Sequence, residues 1–208
     1  MTLCIVTPRV ELRYPDDEDL LTLAALTAEE IHDPVYMPFS LPWTRVAPED
    51  RPANSLTYWR AERDAMLPKR WSFAFMVLAE GAPVGVQGIE ATDFAVKRSV
   101  ATGSWLVRRA HGRGIGREMR QAVLHFAFAA LQADEARSAS FVDNPASRRV
   151  SEVCGYEHAG VDVVQREGVP TVQDQWVLTR SRWEAWRRDD IGVQGFDGNW
   201  ARLLGVRS

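Results

Sequence analysis

Apolar and polar positions change period several times along this chain, and each change predicts an element. Val10 to Tyr14 alternates apolar and charged residues as a short strand does, and Pro15 ends it. The run Asp16-Asp17-Glu18-Asp19 then places carboxylates in the first turn of a helix whose apolar body runs from Leu20 to Leu26. Residues 32 to 52 hold Pro34, Pro38, Pro42, Pro48 and Pro52 among Tyr36, Met37, Phe39 and Trp43. That spacing of prolines forbids a continuous helix, yet the stretch is too apolar for a solvated linker, so it predicts a loop that covers something. A helix follows from Asp50 as cap, with Pro52 in its first turn, to about Leu67 before Pro68.

Trp71 to Glu80 is a strand-like apolar run, Gly81-Ala82-Pro83 a turn, and Val84 to Glu90 the next strand. Ser99 to Val107 makes a third, so the three predict an antiparallel meander. A helix after Gly116 sets Met119, Val123, Phe126 and Ala130 on one face, with Arg117, Arg120 and Gln121 elsewhere, and so predicts one buried side. Ala136 to Val142 reads as a strand parallel to the one before that helix, as in a βαβ crossover. A short helix begins with Asp143 or Asn144 as cap and Pro145 at its first position, and Gly155 ends it. Glu157 to Arg166 and Thr171 to Thr179 are two further strands joined through Glu167-Gly168-Val169-Pro170. The remaining residues carry Trp183, Trp186, Phe196, Trp200, Leu203 and Leu204, too apolar for a loose tail. The expected division is therefore a domain over 1–180 and an extension over 181–208, docked on that domain or on the second subunit of a homodimer.

Composition narrows the classes. With 208 residues, 46% hydrophobic and 25% charged, the chain is sized for one soluble globular domain. A net charge of −3 supplies no field to draw nucleic acid or an anionic membrane, and neither is expected as a partner. No run reaches the length of a membrane-spanning helix, and nothing at the start reads as a signal peptide. Cys4 and Cys154 stand far apart without metal-type spacing, which predicts free thiols, a cytoplasmic location and no metal site.

The candidate chemistry sits where the third meander strand meets its helix, over Leu106 to Met119. Glycines at 112, 114 and 116 remove the Cβ atoms that block close approach, and the first helical turn offers unpaired N–H groups to an anion. No Gly-Lys-Ser/Thr ending follows, which argues against a nucleoside-triphosphate loop, and no acidic residue stands about 20 positions on at the end of a second parallel strand, which argues against a dinucleotide fold. On this motif alone an ordinary glycine-rich turn stays open.

The order of elements resembles the GNAT acyl-CoA-dependent N-acyltransferases, and the residues sharpen the likeness. His111-Gly112-Arg113-Gly114-Ile115-Gly116 is similar to that family's Arg/Gln-x-x-Gly-x-Gly/Ala pyrophosphate loop, with histidine at the usual Arg or Gln position. Asn144-Pro145-Ala146-Ser147 with Gly155-Tyr156 resembles the RimJ/RimL-like branch. His32-Asp33-Pro34, Met37-Pro38-Phe39-Ser40 and Gly103-Ser104-Trp105-Leu106 resemble a subgroup of it in which succinyl-CoA is implicated as donor. The resemblance spans residues 10 to 180 and implies an α/β fold with a mixed, mostly antiparallel sheet flanked by helices.

It further implies that an amine attacks the thioester of acetyl-CoA or succinyl-CoA directly. Backbone N–H groups near Leu106 and Val107 would face the pantetheine and the thioester oxygen. Arg109, His111, Gly112, Arg113, Gly114, Ile115, Gly116 and Arg117 would hold the pyrophosphate. Asn144 would reach the pantetheine or sulfur, and Ser147 would protonate the departing thiolate, with Ser151 one turn on as a fallback. Both also suit plain helix capping. Glu90 is the candidate general base, with Asp93 and Glu167 as others, and His32 and Arg45 are the candidates for holding a succinyl carboxylate. Tyr156 is expected to pack. The acceptor class is a primary amine, on a protein or on a small molecule such as an antibiotic, and a CoA-binding module without turnover is the rival outside enzymes.

Overall fold

The computed structural model describes residues 2–206, and one sheet of nine strands runs through them. Strands β1 (Cys4–Val6) and β2 (Val10–Arg13) lead into α1 (Asp17–Leu26). The Asp16 carboxylate caps that helix, accepting the amides of Glu18 and Asp19 at 2.9 Å each. Helix α2 (Arg51–Asp64) precedes the meander β3 (Arg70–Ala79), β4 (Ala82–Thr92) and β5 (Ser99–Leu106), with a single turn α3 (Phe94–Lys97) between the last two. Helix α4 (Ile115–His125) continues as a wider-wound turn over Phe126–Ala130 and delivers the chain to β6 (Glu135–Phe141). Helix α5 (Pro145–Val153), the hairpin β7 (Glu157–Arg166) and β8 (Val169–Thr179), α6 (Arg180–Glu184), β9 (Gly192–Gln194) and α7 (Gly198–Leu203) complete it.

Across the sheet the order is β7-β8-β6-β5-β4-β3-β2-β1-β9. Every pairing is antiparallel except β5 with β6, the pair that the α4 crossover joins. The expected α/β fold with a mixed, mostly antiparallel sheet is the one observed. Helices α1 and α2 cover β4 and β3 on one face, and α4 lies across β2 and β4 on the other. Strand β3 is accordingly buried along most of its length rather than on alternate residues. Among the described residues no helix is long and apolar enough to cross a membrane.

Several boundaries differ from the sequence reading. The first hairpin turns at Glu80 and Gly81, both with positive φ (53° and 77°), and Ala82 and Pro83 already belong to β4. The second hairpin turns likewise at Glu167 and Gly168 (φ 53° and 81°), so β8 begins at Val169. Helix α2 stops at Asp64, and the Asp50 side chain makes no capping bond. Strands β1 and β9 are too short to announce themselves.

The largest difference is α4, which is buried on nearly every side instead of one. Residues 181–206 are the reason. Trp183 stacks on Phe128 with ring centroids 5.2 Å apart, Arg188 donates to Gln121 Oε1 at 2.9 Å, and β9 pairs with β1 as the sheet's last strand. Arg120, expected off the buried face, is itself buried, with its guanidinium on Ser138 of β6 and Ser104 of β5.

Gly85 marks a place where the sheet leaves no room. A Cβ there would stand 2.2 Å from Trp105 O and 2.8 Å from Leu106 Cα, both backbone atoms that cannot rotate away. Gly85→Ala is expected to cost about 1–3 kcal/mol through backbone displacement, measured as a lowered midpoint in urea with unchanged slope. An unchanged midpoint would mean that β4 and β5 do not cross this closely.

Candidate active site

The site begins where the sheet opens. Strands β5 and β6 pair only from Ser99 to Ala101 and from Glu135 to Arg137, and beyond that β6 pairs with β8 alone. The Val107 amide donates to Val84 O at 2.9 Å, so it is committed to the sheet and does not face a ligand as the sequence reading expected. Alternation along the antiparallel pair turns the Leu106 and Ser104 amides the other way, toward the gap that β6 leaves. Of the two expected backbone donors, the Leu106 amide faces the gap and the Val107 amide does not.

Just past β5 the glycine loop leads into α4. Gly112 and Gly114 hold φ of 72° and 78°, the left-handed region where glycine is favoured, and Gly114 stands at the helix N-cap. Among the described residues no backbone or side-chain acceptor takes the amides of Gly112, Arg113, Gly114, Ile115, Gly116 or Arg117. A Cβ at Gly112 would meet no protein atom within 4 Å, and one at Gly116 only Val150 Cγ2 at 3.7 Å and Leu106 Cδ1 at 4.0 Å. Packing therefore does not demand glycine at 116. Open amides around a concave turn at a helix N-terminus fit the pyrophosphate of a coenzyme.

The cations are distributed differently from expectation. Arg109 is engaged by Glu29 at 2.8 and 3.2 Å, and Arg113 by Glu80 at 2.9 Å, both exposed pairs of the weak kind that a phosphate can displace. Arg117 is exposed and makes no ion pair among the described residues. Arg9, which no sequence signal marked, reaches in from the β1–β2 turn, donates to Arg113 O at 2.8 Å and lies 3.5 Å from where a Gly114 Cβ would be. His111 directs its ring back onto Leu106 O at 3.0 Å, holding the loop against the end of β5.

Asn144 is the α5 N-cap, with Oδ1 accepting the Ser147 amide at 3.1 Å, and the amide nitrogen of its side chain has no protein acceptor among the described residues. The Ser147 hydroxyl is half-buried on the first turn of that helix. Ser151 is buried, and its hydroxyl has no hydrogen-bond partner among the described residues. Tyr156 packs in the core, its hydroxyl 3.0 Å from Thr102 Oγ1, and burial raises its pKa.

On the opposite face of the sheet lies a cavity of about 880 Å³. Glu90, Glu62 and Tyr58 line it with Trp43, Trp59 and Trp105. Its roof is the proline-rich loop, whose Phe39 and Trp43 lie 5.4 Å apart between ring centroids, with Trp43 in turn 5.6 Å from Trp105 on β5. Arg45 in that loop grips Glu167 through two bonds of 2.5 and 3.0 Å, and this holds the Glu167 carboxyl below its usual range. A carboxylate so paired is a poor base, and Arg45 so paired is not open to a succinyl group. His32 is occupied too, by Thr44 Oγ1 at 2.7 Å and Asp33 O at 2.8 Å. Asp93 pairs with Lys97 at 3.7 Å and lies outside the cavity lining, which leaves Glu90 as the cavity's candidate among the three carboxylates named from sequence. A second clamp joins Arg166 to both oxygens of Asp143 at 2.8 and 2.9 Å, with Tyr36 donating to the same carboxylate at 3.4 Å. Burial and that carboxylate push the Tyr36 hydroxyl up to about 12.

Residues 9–157 match the family model of the acetyltransferase (GNAT) domain. Solved structures similar to this chain include RimL, a ribosomal L7/L12 α-N-protein acetyltransferase in complex with coenzyme A, at 17% identity and TM-score 0.65 over 84% of this chain and 96% of that one. A spermidine N-acetyltransferase chimera from Vibrio cholerae and hSSAT matches at 18% and 0.65 over 85% and 98%. Mycobacterium smegmatis RimJ in complex with CoA-disulfide matches at 20% and 0.64 over 89% and 94%. At these identities the likeness to solved structures is one of fold.

Proposed function

The chain belongs to the GNAT acetyltransferase family, and from that premise we propose that it is an N-acyltransferase of the RimJ/RimL-like kind, moving an acetyl or succinyl group from acyl-CoA to a primary amine. The observation that carries the proposal is the row of open amides from Gly112 to Arg117, set beside the gap in the sheet whose other side opens on the cavity. Donor and acceptor thereby approach one reacting point from opposite faces.

Acyl-CoA supplies a thioester carbonyl; the amine nitrogen bonds to its carbon, the C–S bond breaks, and the products are an amide and the free thiol. The protein's part is orientation and proton handling. In this reading the Leu106 amide polarises the carbonyl oxygen from the gap. Asn144 steadies the sulfur end, and the Ser147 hydroxyl gives its proton to the departing thiolate. Glu90 takes the proton that the amine sheds, directly or through a water. An α-amine, roughly a tenth neutral at pH 7, suits this lightly equipped cavity better than a lysine, of which less than about a thousandth is neutral. A small amine acceptor is the second reading, favoured by the Arg45–Glu167 and Tyr36–Asp143 contacts that tie the aromatic roof down over the cavity.

Glu90→Gln is expected to lower kcat/KM by about a hundredfold while leaving acyl-CoA affinity unchanged, since the residue lies on the acceptor face. Turnover at the wild-type rate would remove Glu90 from the role. Acyl transfer itself is tested by following free thiol released from acetyl-CoA and succinyl-CoA across a panel of N-terminal peptides, lysine peptides and polyamines. Absence of thiol release with every acceptor in the panel, despite tight CoA binding, would favour a binding module over an enzyme.

A further inference from the structure

Arg120 is 4% exposed and sits on α4 one turn past Gly116, on the same side of the helix. Its Nη1 donates to Ser138 Oγ on β6 at 3.0 Å and its Nη2 to Ser104 Oγ on β5 at 3.3 Å. One guanidinium therefore bridges the two strands just beyond Ala101 and Arg137, the last residues at which they pair. An arginine stays charged in any protein environment, and a charge taken out of water is ordinarily paired. Here no carboxylate among the described residues stands within ion-pair distance, and Arg120 Nε is buried without an acceptor. Glu118, two residues earlier, is taken by Thr7 at 2.8 Å, with Arg9 and Arg188 near it. Burial pushes the neighbouring Cys154 thiol up to about 11, so it adds no negative charge either.

This cation dictates what its two serines can offer. Each Oγ commits a lone pair to the guanidinium, which leaves the O–H as the group still to be satisfied. Among the described residues no acceptor takes either proton. A donor to a hydroxyl oxygen also polarises that O–H, and a charged donor in a buried site does so more strongly. Both serines line the acceptor cavity, one on each strand where the sheet parts, and the Leu106 amide faces the same gap two residues along β5 from Ser104. Two hydroxyls and an amide thus surround one opening with a positive charge behind them. What suits that arrangement is an oxygen that gains negative charge during a reaction.

We infer that Ser104 and Ser138, held by Arg120, donate hydrogen bonds to the thioester carbonyl oxygen as charge develops on it. The two serines are then catalytic residues beside the Leu106 amide, and Arg120 is the residue that positions them. As the amine nitrogen bonds to the carbonyl carbon, the π pair moves onto oxygen, where the two O–H groups and the N–H stabilise it without giving up a proton. That pair returns to the carbon–oxygen bond as the C–S bond breaks and its electrons leave on sulfur. The inference rests on the acyl-transfer reading above and adds to it side chains from both strands of the gap.

The test is infrared difference spectroscopy of the full chain with acetyl-CoA isotopically labelled at the thioester carbonyl, without amine, on wild type, Ser104→Ala, Ser138→Ala and Arg120→Met. Binding to wild type is expected to shift the carbonyl stretch to lower frequency, and each variant should lose part of that shift. In turnover, Ser138→Ala should lower kcat by about a hundredfold, with calorimetric affinity for coenzyme A within about twofold of wild type. Ser104→Thr, which keeps a hydroxyl at a half-buried position, should retain both the shift and kcat. An equal shift in wild type and both alanine variants overturns the inference, and so does the absence of any shift in wild type. An Arg120→Met that folds and keeps the full shift overturns the guanidinium's part, and one that fails to fold leaves the serine variants to decide. A fall in kcat matched by an equal loss of coenzyme A affinity, with the shift unchanged, makes the cluster structural and overturns the inference too. Should acetyl-CoA not bind wild type, or release no thiol with any amine, the acyl-transfer reading fails first; binding and turnover with a shift that no variant alters sink the inference alone.

Discussion

Gly116→Leu should yield a folded protein that has lost acyl-CoA. The position lies in the first turn of α4, it is not among the residues with positive φ, and a Cβ there makes only ordinary contacts with Val150 and Leu106. The protein's own packing therefore does not resist a Cβ here. The amides of Ile115, Gly116 and Arg117, however, need an oxygen to come within about 3 Å, and a leucine side chain beside them holds it off. Affinity is expected to fall by at least about a hundredfold, equivalent to about 2.8 kcal/mol, with a melting temperature close to that of wild type. Calorimetry and a thermal melt on the same sample check both halves. Wild-type affinity in the variant would mean that the coenzyme is gripped elsewhere.

Cutting the chain after residue 180 should prevent folding. The segment beyond it looks like an appendage in sequence, but in space it closes the core. Trp183 is 2% exposed and stacked on Phe128, Phe196 meets Phe126 edge-on at 5.5 Å, and Trp200 packs on Phe73 at the same distance. The buried indole N–H of Trp71 donates to Leu204 O at 3.1 Å, so removing residue 204 leaves an unpaired donor in the core as well as a void. Losing a single buried large aromatic costs about 3–5 kcal/mol, and total stability for a domain of this size is about 5–15 kcal/mol. Several such losses together exhaust it. Near-ultraviolet circular dichroism of the 1–180 chain should show no fixed tertiary environment for its tryptophans. A cooperative melt at the wild-type temperature would instead make the segment dispensable.

What could be read from residues alone was set by local rules. Asp16 before an apolar heptad, Pro145 after Asn144, and glycines 112, 114 and 116 after a strand each state a backbone requirement that neighbours in sequence satisfy, and those elements stand where expected. The hairpin turns were misplaced by a residue or two because Glu80 and Glu167, not obvious turn formers, accept positive φ when a following glycine shares the turn. In the site, the loop and the α5 cap were legible because they are continuous in sequence. The pairings of Arg45 with Glu167 across 122 positions, and of Arg166 with Asp143 beneath Tyr36, were not, because both partners are common surface residues until the fold brings them together.

Arg120 shows the same boundary most sharply. Periodicity sorted α4 into an apolar stripe and a polar remainder, and that sorting assumed that one side of the helix meets water. Dihedral preferences and spacing along the chain were enough to set the order of elements, the α/β class, the glycine-rich turn into α4 and the family likeness. That residues 181–206 wall in α4, and that β6 leaves β5 after three paired residues, follows from packing in three dimensions. The enclosure of the Arg120 side chain follows in the same way, because burial and ion pairing are properties of what surrounds a residue in space, and sequence distance carries no information about that.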